Sequence, residues 1–252
     1  MQHRPGIAVI NRSVDILASF ARGAETTLTL AEIARRTTLP KATAHRILAA
    51  LVTVGLVDRT EGGYQLGIRL FELGEHVPRK QRLREAALPF LQDLYEASHD
   101  TVHLAVLEGA EVVYLERIRG HNGPKVASRV GGRNPAHCTG VGKALLAFDA
   151  DAARLVLSQP LARRTRYTKT DAKVLAAELA EIARAGLTFD REENSIGVSC
   201  VAAPIIVEGR AVGAISITSG HSDIDRYGPA VKAAALGIRR SLNTGATGST
   251  IG

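Results

Sequence analysis

The sequence predicts an α+β chain, a winged helix-turn-helix at the N-terminus joined by a linker helix to a larger α/β domain. Three observations carry this. Up to Leu66 the apolar spacing is helical three times over, then gives way to two short strand-like runs around a glycine pair. At Val77-Pro78-Arg79-Lys80 a proline and two cations interrupt the pattern, as a joint between domains does. Beyond it, strand-like apolar runs and helical segments share the remaining length.

Taken in order, residues 11–20 place Val14, Leu17 and Phe20 on one helical face, ending near Arg22-Gly23, where glycine permits a C-cap. Thr29 followed three residues later by Glu32 is a capping box, and opens a short helix through Arg36. Thr37-Thr38-Leu39 makes the turn. Pro40 suits the first position of the next helix, because the N–H it lacks would be unpaired there anyway. On this third helix Ala44, Ile47, Leu48 and Leu51 form one stripe, with Ala42, Arg46, Ala49 and Thr53 opposite and Thr43 and His45 on the flanks. Gly55 stops it. Leu56-Val57-Asp58-Arg59 and Tyr64-Gln65-Leu66 then flank Thr60-Glu61-Gly62-Gly63, a hairpin signal. Helix, helix, turn, helix, hairpin is the order of a winged helix-turn-helix, which sets the first domain at residues 1–66.

Residues 67–76 read as an amphipathic helix with Leu70, Phe71 and Leu73, so 67–80 is the linker. The second domain, 81–242, begins with a helix over 82–98 and strands over 102–107, 112–118 and 125–130, with His121-Asn122-Gly123-Pro124 as a connecting loop. Helices follow over 140–148, 150–158 and 172–185, the last closed by Gly186. Strands over 187–191, 199–207 and 211–218 precede a final helix over 223–241. Residues 243–252 have no apolar payload and are expected to be a disordered tail.

Composition narrows the function classes. No apolar run approaches the roughly 20 residues that span a bilayer, and the N-terminus lacks a signal peptide's apolar segment and cleavage site. The chain is read as cytoplasmic, with no membrane partner. Cys138 and Cys200 are the only cysteines and have no CxxC spacing, so neither a disulfide framework nor a zinc site is indicated. A formal charge of +7 suits a polyanionic partner without demanding one.

The third helix carries the sharpest chemistry. In a helix-turn-helix its N-terminal half enters the major groove of double-stranded DNA, where arginine forks onto guanine and small alanines permit close approach. Arg46 is the candidate for direct readout, with Ala42, Thr43 and His45 beside it, Lys41 placed for phosphate, and Arg12, Arg35, Arg36 and Arg59 as phosphate clamps. Three enzymatic readings are weaker. Gly142-Lys143 suggests a hydrolase or NTPase, but a P-loop would need glycine at His137 and Ser or Thr at Ala144. Gly197-Val198-Ser199-Cys200-Val201 resembles a nucleophile elbow until Val201 replaces its last glycine. His137, Cys138, Cys200 and His221 lack metal-ligand spacing. No catalytic set, metal or cofactor is assigned.

Leu30-Ala31-Glu32-Ile33-Ala34 and Leu39-Pro40-Lys41-Ala42-Thr43-Ala44-His45-Arg46-Ile47-Leu48, with the Gly55-Leu56-Val57 exit, resemble the winged helix of the IclR family of bacterial transcriptional regulators. The resemblance continues through His137-Cys138-Thr139-Gly140-Val141-Gly142-Lys143-Ala144 and Asp190-Arg191-Glu192-Glu193-Asn194-Ser195-Ile196-Gly197-Val198-Ser199-Cys200, and spans about residues 7–242. It implies a GAF-like effector-binding domain, assembly as a dimer or dimer of dimers, and response to a small metabolite, often a carboxylate from a catabolic pathway. It places Gly140 and Val141 over the effector, Asp190, Val198, Cys200 and Ala202 along the pocket, and Ser216 and Thr218 on the last strand. Val126, Val141 and Val198 would form an apolar wall. Asp190 would repel a carboxylate, and Arg129 or Arg133 is the candidate compensating cation. Position 42 is alanine where many relatives carry serine.

Overall fold

The computed structural model describes residues 5–21, 23, 25–121, 124, 126, 128–220 and 223–244. Contacts divide the chain into two units, Met1–Pro78 and Arg79–Gly252.

The first unit contains α1 (Pro5–Ser19), α2 (Leu30–Thr37), α3 (Lys41–Thr53), the hairpin β1 (Val57–Thr60) and β2 (Gly63–Leu66), and α4 (Arg69–Glu75). The capping box forms as its spacing predicts: Thr29 Oγ1 accepts from Glu32 N, and Glu32 Oε2 accepts from Thr29 N at 2.9 Å. Pro40 sits one position earlier than expected, at the N-cap of α3. Ala44, Ile47, Leu48 and Leu51 are buried against Ile16, Phe20, Leu28, Ile33, Val57 and Tyr64. Each large side chain in that cluster contributes about 1.5–3 kcal/mol relative to exposure. The face expected for the first helix holds at Leu17 and Phe20 and fails at Val14. Ile16, Ser19 and Phe20 turn inward, whereas Val14 remains 57% exposed. Gly63 has φ +139°, and a Cβ there would lie 2.4 Å from Leu28 O, which brings the hairpin's second strand against the Leu28 bridge. Arg22, at the expected end of the first helix, lies outside the described residues.

α5 (Pro78–Ser98) begins at the last residue of the first unit, so the stretch expected as a linker helix, 67–80, holds α4 and the first turn of α5. A six-stranded antiparallel sheet follows in the order β5-β4-β3-β8-β7-β6, built from β3 (Thr101–Glu108), β4 (Glu111–Ile118), β5 (Arg133–Pro135), β6 (Thr188–Arg191), β7 (Ser199–Val207) and β8 (Arg210–Ser219). The strand expected over 125–130 is absent at its described positions, and Lys125 and Ala127 lie outside them; β5 provides the edge instead. Helices α6 (Gly140–Leu146), α7 (Ala150–Leu157), α8 (Ala172–Ala185) and α9 (Gly228–Thr244) complete the unit. Asn243 and Thr244 extend α9, while 245–252 lie outside the described residues.

Period-two alternation sorts the strands onto two faces. Val102, Leu104, Val201, Ala203, Ile205, Ile215 and Ile217 pack against α5 and α9. Their neighbours Ala105, Cys200, Ala202 and Ala214 face α6 and α8. No helix among the described residues is long and apolar enough to cross a membrane.

Candidate functional site

On α3 the residues opposite the buried stripe, Lys41, Ala42, His45, Arg46 and Ala49, are all exposed, and Thr43 is half-buried. Arg12, Arg35 and Arg59 are exposed as well. Among the described residues no carboxylate pairs with Lys41 or Arg46, so their charge faces solvent. Arg36 departs from expectation. Its side chain is only 12% exposed, with Nη1 donating to Ser19 O at 3.1 Å and Nη2 to Glu25 Oε2 at 3.0 Å. It ties α2 to the end of α1 and is not available as a clamp. Arg69 escaped the sequence reading; it donates to Val54 O at 2.8 Å, at the C-cap of α3.

A cavity of about 70 Å³ opens on the second unit's α6 face. Its floor is a patch of sheet in which register sets the chemistry: His103 pairs with Ser216, and Cys200 with Thr218. Thr139, Gly140 and Val141 cover it, while Val126, Ser128, Tyr114, Asn134, Arg164, Asp190, Asn194, Ser195 and Val198 complete the wall. Gly140 is required here, since a Cβ would lie 2.8 Å from Cys200 Sγ. The nine sequence candidates divide unequally. Eight line the cavity, but Ala202 lies deeper, within 3.4 Å of a Cβ placed on Gly140, and belongs to the apolar core. Neither proposed compensating cation reaches the cavity wall: Arg133 pairs at the surface with Glu111 at 3.2 Å, and Arg129 is not among the lining residues. Arg164 is the cation that lines it.

Burial sets the protonation of this wall. The Asp190 carboxyl, whose Oδ1 accepts from Glu193 N at 2.7 Å, is pushed up to about 7 by burial. Burial lowers His103 to about 3, so its imidazole is neutral, with Nε2 2.7 Å from Ser128 Oγ and Nδ1 3.3 Å from Thr218 Oγ1. It raises the Cys138 and Cys200 thiols to about 12, which removes the thiolate that nucleophilic or metal-ligand chemistry needs. Among the described residues no group of three or more His, Cys, Asp or Glu is gathered to hold a metal, and His221 lies outside them.

Lys143 disposes of the phosphate-loop reading. It is 0% exposed, and its Nζ donates to Glu193 Oε1 at 2.6 Å, Glu178 Oε1 at 2.7 Å and Phe189 O at 2.8 Å. All three ammonium protons are spent inside the fold. Ser199 likewise begins strand β7 and sits on no strand-to-helix elbow.

A helix-turn-helix with an outward cationic helix, carried in one chain with an α/β unit whose open cavity mixes polar and apolar side chains, defines a DNA-binding transcriptional regulator with an effector-binding domain. The IclR helix-turn-helix domain model matches residues 9–61, and that of the bacterial transcriptional regulator IclR C-terminal domain matches 75–240. The chain belongs to the IclR family. It is 32% identical over 248 residues to the HTH-type transcriptional regulator XynR of Escherichia coli (strain K12), across 94% of this chain and 98% of that one. It is 34% identical over 218 residues to the HTH-type transcriptional regulator BhcR of Paracoccus denitrificans (strain Pd 1222), across 84% and 77%. Among solved structures, an IclR homolog complexed with 4-hydroxybenzoate from Microbacterium hydrocarbonoxydans superposes with a TM-score of 0.86 at 33% identity, covering 94% of this chain and 99% of that one.

Proposed function

We propose that this regulator reads a specific DNA operator through α3 and that a small carboxylate from a catabolic pathway, bound in the α6-face cavity, modulates that binding. The observation that carries the reading is α3 itself: one face sealed into the core, the other presenting Lys41, Ala42, His45 and Arg46 to solvent. Arg46 reads a base edge, Lys41 takes phosphate, and Thr43 and His45 support them. Arg12, Arg35 and Arg59 supply further phosphate contacts. Val126, Gly140, Val141, Asp190, Val198, Cys200, Ser216 and Thr218 hold the effector. The 4-hydroxybenzoate complex of the similar protein supports an organic acid as the ligand class. Exposed apolar side chains on α1 (Val9, Ile10, Val14), at the N-cap of α4 (Ile68) and on α4 (Phe71, Leu73) support assembly as a dimer or dimer of dimers. A dimer would place two α3 helices on two half-sites.

The test is a mobility-shift titration on the operator. Arg46→Ala should cost about 1–3 kcal/mol of specific binding and leave the salt-dependent non-specific component largely in place. Full sequence-specific retardation by the variant would reject the recognition-helix assignment.

A further inference from the structure

A groove of about 490 Å³, within the size range of small-molecule sites, opens beside α8 and the edge strand β6. It shares no lining residue with the effector cavity. Among the described residues five buried side-chain oxygens lack a hydrogen-bond partner, and three of them, Glu178 Oε2, Glu193 Oε2 and Thr188 Oγ1, belong to residues that line this groove. Each such atom destabilises the fold until a donor reaches it.

The lysines around these carboxylates show what kind of donor is missing. Lys143 and Lys169 both bond to Oε1 of Glu178, at 2.7 and 2.8 Å, and to Oε1 of Glu193, at 2.6 and 3.2 Å. An ammonium is a point charge, and each here bridges the two glutamates through one oxygen apiece. A guanidinium instead presents parallel N–H groups that take both oxygens of one carboxylate.

Charge balance decides how such a ligand enters. Two ammonium groups already neutralise the two carboxylates, so a third cation would leave an excess positive charge beside buried Lys143. Lys143 is 0% exposed and is held by Phe189 O as well. Lys169 is 33% exposed on its side chain, and among the described residues its Nζ has no partner besides the two glutamates. It is the replaceable member.

We propose that this groove is a second ligand site, and that it takes a small guanidinium compound in place of the Lys169 ammonium. The guanidinium forks onto Glu178, the more exposed of the two glutamates, and gives a further N–H to Glu193. Its alkyl body lies along Leu187 and Phe189, and Lys169 swings into solvent.

Calorimetric titration of the full chain with n-butylguanidinium and n-butylammonium tests this. Butylguanidinium should bind; butylammonium, with the same charge and body but no fork, should bind at least about tenfold more weakly. Glu178→Gln should weaken butylguanidinium by about ten- to a hundredfold. Lys169→Ala, which removes the group being displaced, should tighten it at least about threefold. Glu108→Gln, at an exposed carboxylate of β3 outside the groove, should bind it as the parent does. No binding by the parent chain, a preference for butylammonium, or undiminished affinity in Glu178→Gln overturns the proposal. So does a Lys169→Ala variant that binds no more tightly than its parent, and that variant decides alone if Glu178→Gln does not fold, since Lys143 still holds both carboxylates.

Discussion

Two buried groups on the cavity wall titrate against each other, and removing either should unmask the other. Asp190, 4% exposed, has its carboxyl raised by burial from 3.8 to about 7. Between those values the folded chain holds a proton that the unfolded chain has released. Its contribution is therefore full below pH 3.8 and is lost as pH rises through about 7. His103 has the opposite sign. Burial lowers it from 6.5 to about 3, so the unfolded chain takes up a proton that the folded chain refuses. That contribution is full above pH 6.5 and is lost as pH falls toward 3. Each pH unit is worth about 1.4 kcal/mol. From about pH 4.5 to about pH 6.5 each group thus contributes roughly 3 kcal/mol, one falling and one rising, and their sum is nearly flat. The other shifted groups among the described residues titrate elsewhere: Glu25, Glu32 and Glu178 below 4.5, and Lys169, Tyr114, Arg226 and both thiols above 9.

Asp190→Asn should therefore gain roughly 3 kcal/mol of stability between about pH 4.5 and about pH 6.5, and His103→Gln should lose a similar amount over the same interval. Urea unfolding followed by far-ultraviolet circular dichroism at fixed pH values reads both slopes. A flat profile in Asp190→Asn, or slopes of the same sign in the two variants, would refute the opposed-titration account.

Lys143→Met would leave Glu193, 4% exposed on its side chain, with only the longer 3.2 Å pair to Lys169, at a cost toward the lower end of about 3–5 kcal/mol. Thermal unfolding should recover part of that loss when Glu193→Gln is added, and a Lys143→Met variant as stable as its parent would contradict the buried network. Gly142→Ala should destabilise the same unit by more than 1 kcal/mol, because its Cβ would lie 2.3 Å from Ala136 O. Gly74→Ala on α4 meets no heavy atom within 4 Å and should stabilise by about 0.4–1 kcal/mol; denaturant midpoints separate the two.

The N-terminal unit was legible because its signals are local. Thr29 with Glu32, Pro40 and the stripe from Ala44 to Leu51 each act within a few residues. Val14, the one misplaced residue of the first helix's face, shows the limit: it is as apolar as Ile16, and only the position of α2 and α3 decides which of them is covered. The cavity was half legible. β3, β7 and β8 are buried on both faces and read as continuous apolar runs, so their period is hidden. The one available signal was the polar residue within such a run, and His103 carried it as plainly as Ser216 and Thr218 did. Tyr114, Asn134 and Arg164 reach the wall from three distant segments, and no spacing rule joins residues through tertiary packing. Arg36 looked like its exposed neighbour Arg35 until Ser19 O and Glu25 claimed it.

The buried network limits what a ligand in this cavity can do. The turn over the cavity, Gly140 and Val141, leads directly into Lys143, which binds Phe189 O beside Asp190, Glu193 whose N–H holds Asp190, and Glu178 on α8. Cover, wall and α8 are thereby joined through the Lys143 ammonium, and Lys169 adds a second bridge between Glu178 at 2.8 Å and Glu193 at 3.2 Å. Separating them would cost about 3–5 kcal/mol. Moving a two-state equilibrium from 1:99 to 99:1 already demands about 5.5 kcal/mol of differential affinity. Differential affinity spent on breaking the network is lost to that shift, so displacement of α6, α8 and the strand end around Asp190 together, with the Lys143 network intact, is the less costly response to a ligand here.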